Sequence, residues 1–200
     1  SVAKGFGATV VMTAASHESG TDRLHEVADK FGLNDDEIVV NVQGDEPLIP
    51  PAVIDQVAAL IALHETASVA TLCERIVDTA LLFDPNVVKV VFDHHARALY
   101  FSRAPIPWSR DTFAWGKEAA MPSTQYYRHI GIYAYRVELL RQFVSWPMSA
   151  LERTEKLEQL RVMENGAEIR IAPACVPIPA GVDTAADLER VRHWIAQHRL

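Results

Sequence analysis

Two adjacent carboxylates, Asp45 and Glu46, follow directly on a β-branched apolar run in the segment Ile38-Val39-Val40-Asn41-Val42-Gln43-Gly44-Asp45-Glu46-Pro47. In an open α/β sheet, ligands bind beyond the carboxyl ends of the strands. Gly44 allows a sharp turn there, and Pro47 cannot continue a ladder. Asp45 is thus expected at a strand end, where its hard oxygens suit a divalent cation that also carries phosphate. A second reading is open at this point. The same acidic pair would serve as helix-capping residues ahead of Pro50 and Pro51.

Other residues have types and spacings suited to binding. In Ser19-Gly20-Thr21-Asp22-Arg23, Gly20 lets a ligand approach the backbone closely. Ser19 and Thr21 would equally serve as N-caps of the helix that follows. Gln43 can both donate and accept, as recognition of a base or a ribose requires. Arg103 presents a planar fork suited to a carboxylate and stands beside prolines that stiffen its loop. His129 and Tyr133 are four residues apart on a strand, so they share one face at a Cα spacing of ~13 Å. Glu158 and Gln159 are expected mid-helix, as an acceptor and a donor–acceptor or as plain surface residues.

These residues need a scaffold, and the hydrophobic pattern supplies one. Ser1 to Gly7 reads as a helix end with its C-terminal glycine, and Ala8–Met12 as a strand. A helix is predicted over 21–31 and a strand over 38–42. A second helix over 51–63 has prolines in its first turn, and a strand follows over 69–73. This alternation predicts a mostly parallel sheet flanked by helices. Residues 87–92 and 98–102 flank a polar turn at 93–97 and read as an inserted antiparallel hairpin. His94 and His95 in that turn are expected to be solvated. Residues 109–126 read as a long surface loop, 129–135 as a strand and 137–144 as a short helix. Ser149 with Glu152 predicts a capping box for a helix running to Glu164. Residues 169–172 form a last strand, and Thr184 with Asp187 predicts a second capping box for a terminal helix.

Composition narrows the function classes. The chain has 200 residues, 49% of them hydrophobic, and a formal net charge of -7. Such a balance argues against a nucleic-acid-coating surface, which needs clustered Lys and Arg. No apolar stretch approaches the ~20 residues of a membrane span. The two cysteines, Cys73 and Cys175, lie in separate apolar segments with no metal-binding spacing, and are expected to be buried, reduced thiols.

Taken in order, Ser19-Gly20-Thr21-Asp22-Arg23, Val42-Gln43-Gly44-Asp45-Glu46-Pro47, Tyr100-Phe101-Ser102-Arg103, Arg128-His129-Ile130-Gly131-Ile132-Tyr133, Leu157-Glu158-Gln159-Leu160-Arg161 and Gly181-Val182-Asp183-Thr184 resemble the 3-deoxy-manno-octulosonate cytidylyltransferase (CMP-Kdo synthetase) family over almost the whole chain. The resemblance implies a nucleotide-diphospho-sugar transferase-like fold. It also implies a cytoplasmic, homodimeric enzyme that joins CMP from CTP to the sugar acid Kdo for lipopolysaccharide synthesis. By the same resemblance, Asp45 and Asp183 meet on Mg2+. Ser19, Gly20, Arg23 and Gln43 hold CTP, and Arg103, His129, Tyr133, Glu158 and Gln159 hold Kdo. For Asp183 the residues alone suggest capping support beside Thr184 instead. No side chain stands out as a general base.

The family opens with a strand, an Arg-rich phosphate loop and a first helix, which residues 1–200 do not contain. The chain is therefore expected to be one nucleotidyltransferase domain without that N-terminal portion, and these residues alone are expected to be inactive. Rival readings are a CMP-sialate synthetase, a metal-dependent glycosyltransferase of similar fold, or a nucleotide-binding or dimerisation module without turnover.

Overall fold

The structure, a computed structural model, describes residues 2–17, 19–113, 121–182 and 184–198. Along the chain run α1 (Val2–Gly5), α2 (Gly20–Phe31), β1 (Ile38–Asn41), α3 (Pro51–Ala62), β2 (Val69–Ile76), α4 (Thr79–Phe83), β3 (Lys89–Phe92) and β4 (Ala98–Ser102). There follow α5 (Arg110–Phe113), β5 (Tyr126–Arg136), α6 (Val137–Phe143), α7 (Ala150–Glu155), α8 (Gln159–Glu164), β6 (Ile169–Pro173) and α9 (Ala185–His198).

The local signals mostly form as their chemistry dictates. Ser19 caps α2 in a capping box with Asp22, and Gly32 closes that helix at φ 64°. Pro51 opens α3, where its missing N–H costs nothing. Asp93 Oδ1 accepts from the amides of His95 and Arg97 and closes the β3–β4 turn, leaving His94 and His95 exposed. Thr184 and Asp187 exchange backbone and side-chain bonds at the start of α9.

Tertiary contacts change other expectations. The sheet is mixed rather than mostly parallel, with path β4-β3-β5-β2-β6 and β1 beside β5. Among the described ladders only β2–β6 is parallel, because β5 lies antiparallel between β1 and β2. Residues 8–12 form no strand: Lys30 Nζ on α2 binds the Met12 carbonyl, and Glu26 on the same helix accepts from the Ala14 amide. The helix expected from Ser149 to Glu164 is broken in two. Lys156 takes a left-handed conformation, φ 56°, and Leu157 is buried. Ser102 Oγ and the Arg103 amide hold the Glu155 carboxylate at 2.6 and 2.9 Å, which anchors the end of α7 to β4. Of the cysteines, Cys73 is buried while Cys175, in the coil after β6, is exposed.

Strand alternation sorts the core onto two faces. Ala70 and Leu72 of β2 pack with Val53, Val57 and Ile61 of α3. Val69 and Cys73, of opposite parity, pack with Val137, Leu140, Phe143, Leu160 and Val162. The candidate site lies on this second face.

Candidate active site

A cavity opens between β5, the start of α2, the end of β1 and the start of α8. Gly20, Asn41, Gln43, Tyr133, Tyr135, Glu158 and Gln159 line it. The rings of Tyr133 and Tyr135 stack at 5.5 Å and form one wall. Thr21, almost wholly buried, lines the same cavity at the entry of α2, beside Tyr135 and the entry of α8. Burial raises the Glu158 carboxyl above the ordinary range and raises both tyrosine hydroxyls. Breaking the expected helix has a consequence here. Glu158 and Gln159 stand at the first turn of α8, at the cavity, rather than mid-helix.

His129 and Tyr133 do not keep the regular strand spacing. Their ring centroids lie 5.2 Å apart. Opposite β2 the register passes from Tyr133 at Thr71 to Ile130 at Leu72, so Gly131 and Ile132 bulge out of the ladder. His129 Nε2 lies 2.9 Å from Thr71 Oγ1, and the ring meets Phe101 edge-on. Burial pushes the imidazole down to about 3, so it is neutral at physiological pH.

Ser19 faces a neighbouring depression that shares Glu158 and also contains Trp146, Glu152 and Arg161. Arg161 Nε and Nη2 bind the Glu152 carboxylate at 2.7 and 2.6 Å, and its guanidinium lies 4.2 Å over the Phe143 ring. Arg23 is exposed and donates to Thr13 Oγ1. Arg103 is not among the cavity-lining residues. Its Nε donates to the Glu155 carbonyl at 2.7 Å and its Nη1 to the Pro85 carbonyl at 2.8 Å. Nη2 makes no hydrogen bond among the described residues.

Asp45 is exposed on the turn after β1. Among the described residues its carboxylate makes no hydrogen bond or ion pair, so both oxygens are available. Its backbone carbonyl accepts from Val182 N at 2.8 Å. Asp183 itself lies outside the described residues, but the residue before it is thus bonded to Asp45. Among the described residues no group of three or more His, Cys, Asp or Glu side chains converges to hold a metal. An exposed carboxylate on a strand-end turn fits a hydrated magnesium ion shared with phosphate, which needs only one or two protein carboxylates.

Reading the sequence missed Thr21 as more than a cap, and missed Tyr135, Asn41 and Thr71. Tyr135 was on the same strand face as His129 and Tyr133, which is the signal that would have found it. The others became visible only through contacts.

The cytidylyltransferase family profile matches residues 1–169. The chain is 62% identical to the 3-deoxy-manno-octulosonate cytidylyltransferase of Saccharophagus degradans over 94% of its length, covering 75% of that protein. It is 60% identical to that of Alcanivorax borkumensis, over 92% of this chain and 72% of that one. A solved structure of CMP:2-keto-3-deoxy-manno-octonic acid synthetase complexed with CTP superposes with a TM-score of 0.85 at 41% identity. That match covers 98% of this chain and 75% of the other. The chain belongs to the cytidylyltransferase family and, within it, to the 3-deoxy-manno-octulosonate cytidylyltransferases.

Proposed function

We infer that this chain carries the chemistry of a cytidylyltransferase that joins CMP from CTP to Kdo, giving CMP-Kdo and pyrophosphate for lipopolysaccharide synthesis. The observation that carries this reading is the cavity joining Gln43 to Tyr133, Glu158 and Gln159, in a chain so similar to enzymes of that name. The anomeric hydroxyl of the sugar acid attacks the α-phosphorus of CTP in line, forming the new P–O bond as the bond to pyrophosphate breaks. Positioning and electrostatics supply most of the rate when phosphorus is the electrophile.

Asp45 and Asp183 would hold magnesium. That ion, when bound, orients the α-phosphate and screens the charge that repels the attacking oxygen. Gln43 and the Ser19–Arg23 segment would bind the nucleotide, Gln43 through its donor and acceptor and Gly20 through its open backbone. Tyr133, Glu158 and Gln159 would take the sugar hydroxyls, with His129 beside them. Arg103 would reach the sugar carboxylate through Nη2, since its other guanidinium nitrogens hold backbone carbonyls.

A homodimer is proposed through the β3–β4 region, where Leu99 and Trp108 are exposed by 56% and 59%. Light scattering on the purified protein should give twice the chain mass, and a monomer would remove that reading. Among the described residues no helix is long and apolar enough to cross a membrane, and residence in the cytoplasm is part of the same proposal. Pyrophosphate release from CTP with Kdo, assayed on the enzyme with the family's N-terminal phosphate loop in place, tests the function. A preference for sialic acid, or hydrolysis of a nucleotide-sugar without CTP, would favour the rival activities.

A further inference from the structure

Thr71 is wholly buried in the middle of β2, and its hydroxyl faces the bulge of β5. Oγ1 lies 2.7 Å from the Ile132 carbonyl, 3.1 Å from the Ile130 carbonyl and 2.9 Å from His129 Nε2. A threonine hydroxyl carries one proton and two lone pairs, and a carbonyl can only accept. The single proton therefore goes to the two carbonyls that flank the bulged residues, in place of a ladder donor. Oγ1 is then an acceptor towards His129. The third contact is a hydrogen bond only if His129 carries its proton on Nε2, which leaves Nδ1 as a bare lone pair.

We propose that Thr71 is a positioning residue of the sugar-acid site: it closes the bulge that sets His129 against Tyr133 and fixes His129 as the Nε2–H tautomer, so that Nδ1 accepts from a sugar hydroxyl. The inference rests on the functional reading above for the identity of the ligand, but not for the tautomer. In this state His129 discriminates between the two kinds of oxygen on a sugar acid. A hydroxyl can donate to Nδ1, whereas a carboxylate brings only lone pairs and is turned away. The carboxylate must then be met elsewhere, by a guanidinium or a backbone amide. The closeness of His129 and Tyr133 belongs to the same device. With Gly131 and Ile132 in a regular ladder the two Cα atoms would stand ~13 Å apart, and the rings would not meet at 5.2 Å.

Two measurements on the enzyme test this. Long-range proton–nitrogen NMR correlations of the His129 ring are expected to place the proton on Nε2. Finding it on Nδ1 overturns the inference whatever the enzyme's activity. Thr71→Val keeps the β-branched shape and removes the hydroxyl, and Thr71→Ser keeps the hydroxyl. Thr71→Val is expected to release the tautomer and raise the KM for the sugar acid about tenfold, the scale of one lost hydrogen bond, with the KM for CTP unchanged. Thr71→Ser is expected to keep the Nε2–H tautomer and a KM near that of the unmodified enzyme. Equal losses towards both substrates, or equal losses in both variants, would show a structural role alone and overturn the assignment. If Thr71→Val does not fold, the tautomer in the unmodified protein and the Thr71→Ser kinetics still decide it. Absence of turnover with Kdo in the unmodified enzyme would instead count against the functional reading, and the ring spectrum would remain the judge of Thr71.

Discussion

The backbone carbonyl of Asp45 accepts a hydrogen bond from the amide of Val182 at 2.8 Å, which joins the turn after β1 to the segment that precedes α9. The two turns are thereby held together by a main-chain contact rather than by flexible side chains. Asp45→Asn is expected to lower kcat by roughly a hundredfold or more at saturating magnesium, since one hard anionic ligand is lost where several kcal/mol of charge stabilisation are needed. Steady-state rates across a magnesium titration would check this, and near-normal turnover would remove Asp45 from the metal site.

Gly181 makes that junction close. A Cβ at this position would stand 3.1 Å from the Asp45 carbonyl and 3.2 Å from Glu46 Oε1. Gly181→Ala should therefore push the two turns apart by a few tenths of an ångström and raise the magnesium concentration for half-maximal rate several-fold, on the order of the cost of disturbing a metal's supporting shell. An unchanged magnesium dependence would show that the turns act independently.

Gln159 is almost wholly buried at the cavity, where it lies beside Glu158. Gln159→Leu preserves bulk and removes one donor and one acceptor. The expected result is a KM for the sugar acid raised about tenfold, with nucleotide binding intact. Isothermal titration with each substrate separately would reveal a loss on the wrong side.

Glu152 and Arg161 form a bidentate ion pair with side chains only 7% and 11% exposed. Removing one partner leaves the other charge buried and unpaired. Glu152→Ala, which also removes half of the α7 capping box, is expected to cost about 3–5 kcal/mol of stability. Urea unfolding would measure it, and a loss below about 1 kcal/mol would mean that water reaches Arg161 freely.

His129 predicts a pH dependence of stability. Its folded pKa is depressed by burial to about 3, below the ordinary value of 6.5. Between those limits the unfolded chain binds more protons than the folded one, so stability rises with pH. The contribution is complete above pH 6.5 and is lost as pH falls towards 3. From pH 7 to pH 5 this group should account for up to about 2 kcal/mol. His129→Gln, which cannot titrate, should flatten that part of the profile; denaturation midpoints that keep the same slope would exclude the imidazole as its source.

Much of the scaffold was legible in the sequence because its causes are local. Ser19 with Asp22, Ser149 with Glu152 and Thr184 with Asp187 start helices through bonds that span three residues. Pro51, Gly32 and the apolar patterns read over 51–63 and 69–73 act within a turn or a strand, and the elements observed there are α3 and β2. The α/β class, the hairpin and the family resemblance all followed from such short segments.

The tertiary structure alone decided the rest. The direction of β5, the break after Glu155, the place of Glu158 and Gln159 at a helix entry and the ring contact of His129 with Tyr133 depend on partners distant in the chain. Glu155 is held by Ser102 and Arg103, and the β5 bulge by Thr71. Periodicity assumes a regular ladder or helix, and these bonds stabilise the departures from it. Residue types and short-range spacing therefore named candidates for the chemistry. The meeting of Gln43, Tyr133, Glu158 and Gln159 at one cavity, with His129 against Tyr133, depends instead on contacts that form only when the sheet and its helices are packed together.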